Sequence, residues 1–163
     1  MNQLFDYIEM KVPAKPEYVG VVRLTLSGVA SRMGYVYEDI EDLKIATSEA
    51  CTNAVQHAYE MNEGGEITIG YGLYHDRLEV MVADNGQSFN VEKTKEEIGP
   101  YSTDNSEEDD LQEGGLGLYL IDTLMDDVKV FNHYGVTIFM TKYLQKEKVE
   151  NDDTTTISTS QSK

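Results

Sequence analysis

The sequence predicts an α+β fold: a two-layer α/β sandwich in which one mixed, mostly antiparallel sheet carries three helices on one face. Three observations predict it. The periodic segments run in the order strand, two helices, two strands, polar insert, helix, two strands. Two pairs of strand-like runs are separated only by His75-Asp76 and by Tyr134-Gly135, which is hairpin spacing. No internal repeat divides the 163 residues, a length that suits one ordinary domain.

Each element follows from its pattern. Phe5 to Val12 alternates enough to be a strand. Pro16 opens a helix whose apolar face is Val19, Val22, Leu26, Val29 and Met33, and Gly34 ends it. Glu38 to Tyr59 is a longer helix with Ile40, Leu43, Ala46, Ala50 and Ala54 as the stripe to be buried. Glu66 to Tyr74 and Arg77 to Asp84 form the first hairpin. Leu116 to Met125 is the third helix, and Val128 to His133 with Val136 to Leu144 form the second hairpin. Residues 1–144 therefore make the domain. The polar insert 87–113, with six acidic residues between Asp104 and Glu113, is long for a plain connection and reads as a lid or binding loop. Residues 145–163 are a Thr/Ser/Asp-rich tail without the apolar content to build a core.

Charge narrows the function. Thirty acidic residues against thirteen basic ones give a net charge of −17, which repels nucleic-acid backbones and suits a partner with a basic patch. Any bound phosphate must be held locally, by backbone amides, a helix terminus or a metal. One cysteine, Cys51, excludes an internal disulfide and a multi-cysteine metal site; it reads as a small buried core residue. No apolar run is long enough for a membrane span and no export signal opens the chain, so the cytoplasm is the expected location.

Three motifs carry chemistry. Glu49, Asn53 and His57 fall at i, i+4 and i+8 of the long helix, among small neighbours Ala46, Ala50, Ala54 and Ala58. An acid and an amide on adjacent turns can share a hard cation, or the acid can serve as a base toward a hydroxyl. On the helix alone, a solvated polar face with a capping histidine is the preferred reading. The apolar run Val80–Ala83 ends in Asp84-Asn85-Gly86, which sets a carboxylate at a sheet end where it could accept from an exocyclic amine; it is equally ordinary turn chemistry. Gly114-Gly115-Leu116-Gly117 opens the third helix, where glycines and free N–H groups suit phosphate. The Walker pattern is absent, no Lys or Arg lies from Glu96 to Val128, and the glycines follow the insert rather than a strand, which excludes a Rossmann site.

In this fixed order, Glu-x-x-x-Asn, Asp-x-Gly, lid and Gly-x-Gly resemble the GHKL (Bergerat-fold) family, which includes the ATP-binding domains of gyrase, Hsp90, histidine kinases and MutL. The run Ser48 to Tyr59, SEACTNAVQHAY, is similar to the same helix in the small bacterial serine-protein kinases that act as anti-sigma factors. The resemblance covers roughly Phe5 to Leu144. It implies that Asn53 coordinates the magnesium bridging the ATP phosphates and that Glu49 acts as base for a substrate serine. It implies that Asp84 accepts the adenine amine, with Gly86 giving the base room and Thr137 nearby. Gly115 and Gly117, with the amides around Leu116 and Leu118, hold phosphates. Arg23 falls where related anti-sigma factors meet their partner, and His57 receives no catalytic role.

Two positions depart from the wider family pattern. Ser88 replaces the second glycine of Asp-x-Gly-x-Gly, and Glu113 stands where some relatives carry a basic residue, so magnesium and backbone amides must neutralise the phosphates. The implied function is a kinase that phosphorylates a serine on a small anti-anti-sigma antagonist, and that otherwise binds and inhibits a sigma-B-type factor as a homodimer. The alternatives are an ATP-dependent sigma-sequestering module without catalysis and a histidine-kinase catalytic domain. The second lacks a phosphoacceptor helix pair.

Overall fold

The computed structural model describes residues 4–60, 65–84, 115–132 and 135–145. The elements are β1 (Asp6–Pro13), a 3-10 turn (Pro16–Tyr18), α1 (Val19–Met33), α2 (Tyr37–Glu60), β2 (Glu66–Leu73), β3 (Arg77–Ala83), α3 (Gly115–Leu124), β4 (Asp127–Asn132) and β5 (Val136–Tyr143). Pro16 thus opens a separate 3-10 turn ahead of α1. At the other end Gly34 adopts φ 93°, and Tyr35 N–H returns to Ala30 O at 3.2 Å, a glycine C-cap that turns the chain into α2.

The strands form one five-stranded sheet in the order β1-β2-β3-β5-β4. Every described pair is antiparallel, so the expected mixed pairing is corrected to a wholly antiparallel ladder. The reason is topological. Two helices between β1 and β2 carry the chain out and back, returning β2 antiparallel to β1. The single helix α3 leaves β4 running in the direction of β3, but β4 takes the sheet edge, and its hairpin mate β5 pairs with β3 instead.

Alternation divides the sheet. Ile67, Ile69, Tyr71, Leu73, Leu78, Val80, Val82, Ile138 and Met140 share one core with Val22, Leu26 and Val29 of α1 and Leu43, Ala46, Ala50 and Ala54 of α2. Alanines along α2 let its backbone lie close to the sheet. Tyr35 fastens the α1–α2 corner: its hydroxyl accepts from Leu78 N–H at 2.8 Å and donates to Lys142 O. Lys142 Nζ in turn donates to Leu124 O at 2.6 Å, which satisfies a carbonyl at the C-terminus of α3. Among the described residues no helix is long and apolar enough to cross a membrane.

Candidate functional site

The sheet and helices converge at one end of α2. Its apolar stripe faces the sheet, which leaves the adjoining stripe of Glu49, Asn53 and His57, all partly buried, along its flank. Against this flank lies the first turn of α3. A β-carbon built on Gly117 would meet Glu49 Oε2 at 3.3 Å, Asn53 Nδ2 at 3.4 Å and Asn53 Oδ1 at 3.5 Å. Glycine at this position is what leaves the carboxylate and the amide an open space beside the N-terminus of a helix. The two halves of the pattern, remote in sequence, therefore meet.

Asp84 marks the other end. It follows the last residue of β3, and the β3–β5 ladder sets Ala83 opposite Thr137. Asp84 N–H donates to Val136 O at 3.3 Å, and Val136 N–H donates to Asp84 Oδ1 at 3.1 Å. This reciprocal pair fixes the side chain, which is 4% exposed. Its second oxygen, Oδ2, is buried and accepts no hydrogen bond among the described residues, although His57 Nδ1 lies in close contact with it. A buried carboxylate oxygen short of a donor is an acceptor waiting for one.

These features fit an adenine nucleotide with magnesium. The amine of the base would find Asp84 Oδ2, and the phosphates would find the amides at the start of α3. Asn53 and Glu49 do not by themselves make a cage, but magnesium takes few protein ligands and completes its shell from phosphates and water.

The remaining expected residues fall as follows. Gly115 and Leu116 begin α3, and Leu118 packs on the core. Val136, through its backbone, is the β5 residue that touches Asp84; Thr137 is its neighbour, on the sheet face away from the helices by strand alternation. Arg23 is exposed, and its Nε donates to Ser48 Oγ at 2.9 Å, next to Glu49. Gly86, Ser88, Glu113 and the expected lid 87–113 lie outside the described residues, as does the tail beyond Gln145. Cys51 is buried in α2, and burial pushes its thiol up to about 12, with Arg23 opposing weakly. An inert core cysteine fits that environment.

Sequence reasoning missed the His57–Asp84 contact, the backbone clamp from Val136 and the Arg23–Ser48 link. Only the first left a trace in the sequence, as the third position of the Glu49–Asn53 stripe.

A family model described as a histidine kinase-like ATPase domain matches residues 12–142. The chain is 64% identical over 154 residues to the serine-protein kinase RsbW of Bacillus subtilis, covering 94% of this chain and 96% of that one. It is 64% identical over 149 residues to the serine-protein kinase RsbW of Oceanobacillus iheyensis, covering 91% and 94%. Among solved structures, the RsbU and RsbW domains of a Mycobacterium tuberculosis protein superpose with a TM-score of 0.60 at 21% identity, over 85% of this chain and 32% of that one. The Pseudomonas aeruginosa SiaB–SiaC complex gives 0.51 at 12% identity, over 84% and 88%. At such identities the structural likeness speaks for the fold.

Proposed function

Because the chain belongs to the histidine kinase-like ATPase family, among relatives named serine-protein kinase RsbW, we propose that it is an ATP-dependent protein-serine kinase and anti-sigma factor. It transfers the terminal phosphoryl of ATP to a serine on a small anti-anti-sigma antagonist, and in another complex it holds a sigma-B-type factor away from transcription. The observation that carries this reading is the convergence of Glu49, Asn53 and Gly117 at the start of α3, with an acceptor carboxylate, Asp84, beside His57 farther along α2.

The residues divide the work. Asp84 Oδ2 takes the adenine amine, held in place by Val136, with Gly86 bordering the base; Thr137, on the sheet face away from the helices, is left out of that role. Gly115, Leu116, Gly117 and Leu118 offer backbone amides and a helix terminus to the phosphates. Asn53 holds the magnesium, which when bound neutralises phosphate charge that this acidic chain cannot. Glu49 accepts the proton of the attacking serine hydroxyl, so that its oxygen bonds to phosphorus as ADP leaves. A carboxylate base suits a hydroxyl; an imidazole acceptor needs none.

Phosphorylation also explains the exchange of partners. About −1.5 to −2 added charges on the antagonist disfavour its return to a surface of this sign. Arg23, on the outer side of α1, contributes to that partner surface. The domain spans residues 1–144 with its lid at 87–113, and it works in the cytoplasm as a homodimer.

The test is phosphate transfer from γ-labelled ATP with magnesium to proteins in lysate of a host lacking this chain. Wild type should label a small protein on serine, whereas Glu49→Ala should lose about 100-fold or more while still binding ATP. Asn53→Ala should lose the magnesium dependence of nucleotide binding. ATP binding without transfer by wild type would sink the kinase claim and leave a sequestering module.

A further inference from the structure

The helix that reads both ends of the nucleotide has a third polar position outside that scheme. His57 stands one turn beyond Asn53 on the same stripe, and its Nδ1 is in close contact with Asp84 Oδ2. The two oxygens of Asp84 are not equivalent. Oδ1 is committed to Val136 N–H, a partner fixed by the pairing of β3 and β5. Oδ2 is buried, and the His57 ring nitrogen lies in direct contact with it. An incoming amine has only Oδ2 to bind, and His57 already occupies that approach.

Exposure decides which partner moves. The Asp84 side chain is 4% exposed and clamped from two sides, whereas that of His57 is 39% exposed. The imidazole can turn toward solvent at the loss of one contact. The carboxylate cannot leave, and an unpartnered buried carboxylate oxygen is unfavourable.

We infer that His57 is a positioning residue that stands in for adenine on Asp84 Oδ2 and must be displaced when the base docks. The inference rests on Asp84 being the adenine acceptor, as proposed above. His57 thereby weakens nucleotide binding. The base must therefore compete with the imidazole for that oxygen.

The test is ADP affinity by calorimetry for the full chain, His57→Leu and His57→Gln, with magnesium tripolyphosphate as a ligand lacking a base. Both variants should bind ADP about three- to ten-fold more tightly than wild type. Tripolyphosphate should show no difference between the three proteins. Equal or weaker ADP binding by both variants would overturn the inference, because His57 would then be a bystander or a support for the base. If tripolyphosphate binds and ADP gains nothing over it in any protein, the adenine reading of Asp84 fails first. Two substitutions guard against a folding defect, since glutamine keeps a polar side chain at the half-exposed position.

Discussion

Gly117 stands so close to Glu49 that a β-carbon in its place would lie 3.3 Å from Oε2, with Asn53 only a little farther at 3.4 Å. The glycine sits within a helix, where alanine is the better residue by about 0.5–1 kcal/mol. Stability and chemistry therefore pull in opposite directions here. Gly117→Ala should leave the unfolding midpoint unchanged or raised, while phosphate transfer falls at least about ten-fold because Glu49 and Asn53 must shift. Thermal unfolding and the labelled-phosphate assay, run on one preparation, check both halves.

Arg23 makes its described contact with Ser48 at 2.9 Å in an exposed setting, and such bonds contribute little to stability. Arg23→Ala should change stability by less than about 0.5 kcal/mol and leave ADP affinity intact. Binding of the sigma partner should weaken about ten-fold, with the loss shrinking at high salt if the arginine meets a carboxylate. Surface-immobilised binding at two ionic strengths measures this.

The Tyr35 hydroxyl serves two backbone groups at once, Leu78 N–H and Lys142 O, and it does so in a buried position. Tyr35→Phe removes the bridge and strands both groups away from water. The expected cost is about 1–3 kcal/mol, read as a lower urea midpoint with an unchanged slope. Because Tyr35 lies far from Glu49 in the fold's plan, transfer activity at low temperature should survive.

Alkali should unfold the protein through its buried acids. Burial pushes the Cys51 thiol from 9.0 up to about 12, and it likewise raises the phenols of Tyr35 and Tyr71 above their usual 10.0. Each raised group stabilises the fold fully below its unfolded value, and that contribution is lost as pH climbs toward the folded value. Stability should hold up to about pH 9 and then fall steadily toward pH 12. Cys51→Ala should flatten the first part of that decline. In the native protein the thiol should resist alkylation near neutral pH until the chain is unfolded.

Much of this was legible because local chemistry and long-range structure agree. Gly34 closes a helix with the conformation that glycine permits, and the His75-Asp76 and Tyr134-Gly135 turns leave their strands little choice but hairpins. The Glu49–Asn53 spacing could be written down from the helix repeat alone. What escaped depends on which elements become neighbours. Sending β4 to the edge, so that no described strands pair in parallel, is a choice among topologies that alternation does not encode. The Asp84 carboxylate is read by a backbone group from β5 and by a histidine from α2, and neither partner lies near it in sequence. Arg23 and Ser48 likewise meet only because α1 packs on α2.

α2 runs unbroken from Tyr37 to Glu60. With a rise of about 1.5 Å per residue, Glu49 and His57 are marks about 12 Å apart on one stiff rod. Neither mark can slide toward the other without breaking the helix. On the proposed reading the site is thus a gauge of length as well as of chemistry: a nucleoside monophosphate docked at Asp84, beside His57, would leave Glu49 idle. Only a ligand long enough to reach from Asp84 to Glu49 would bring its last phosphorus to that carboxylate.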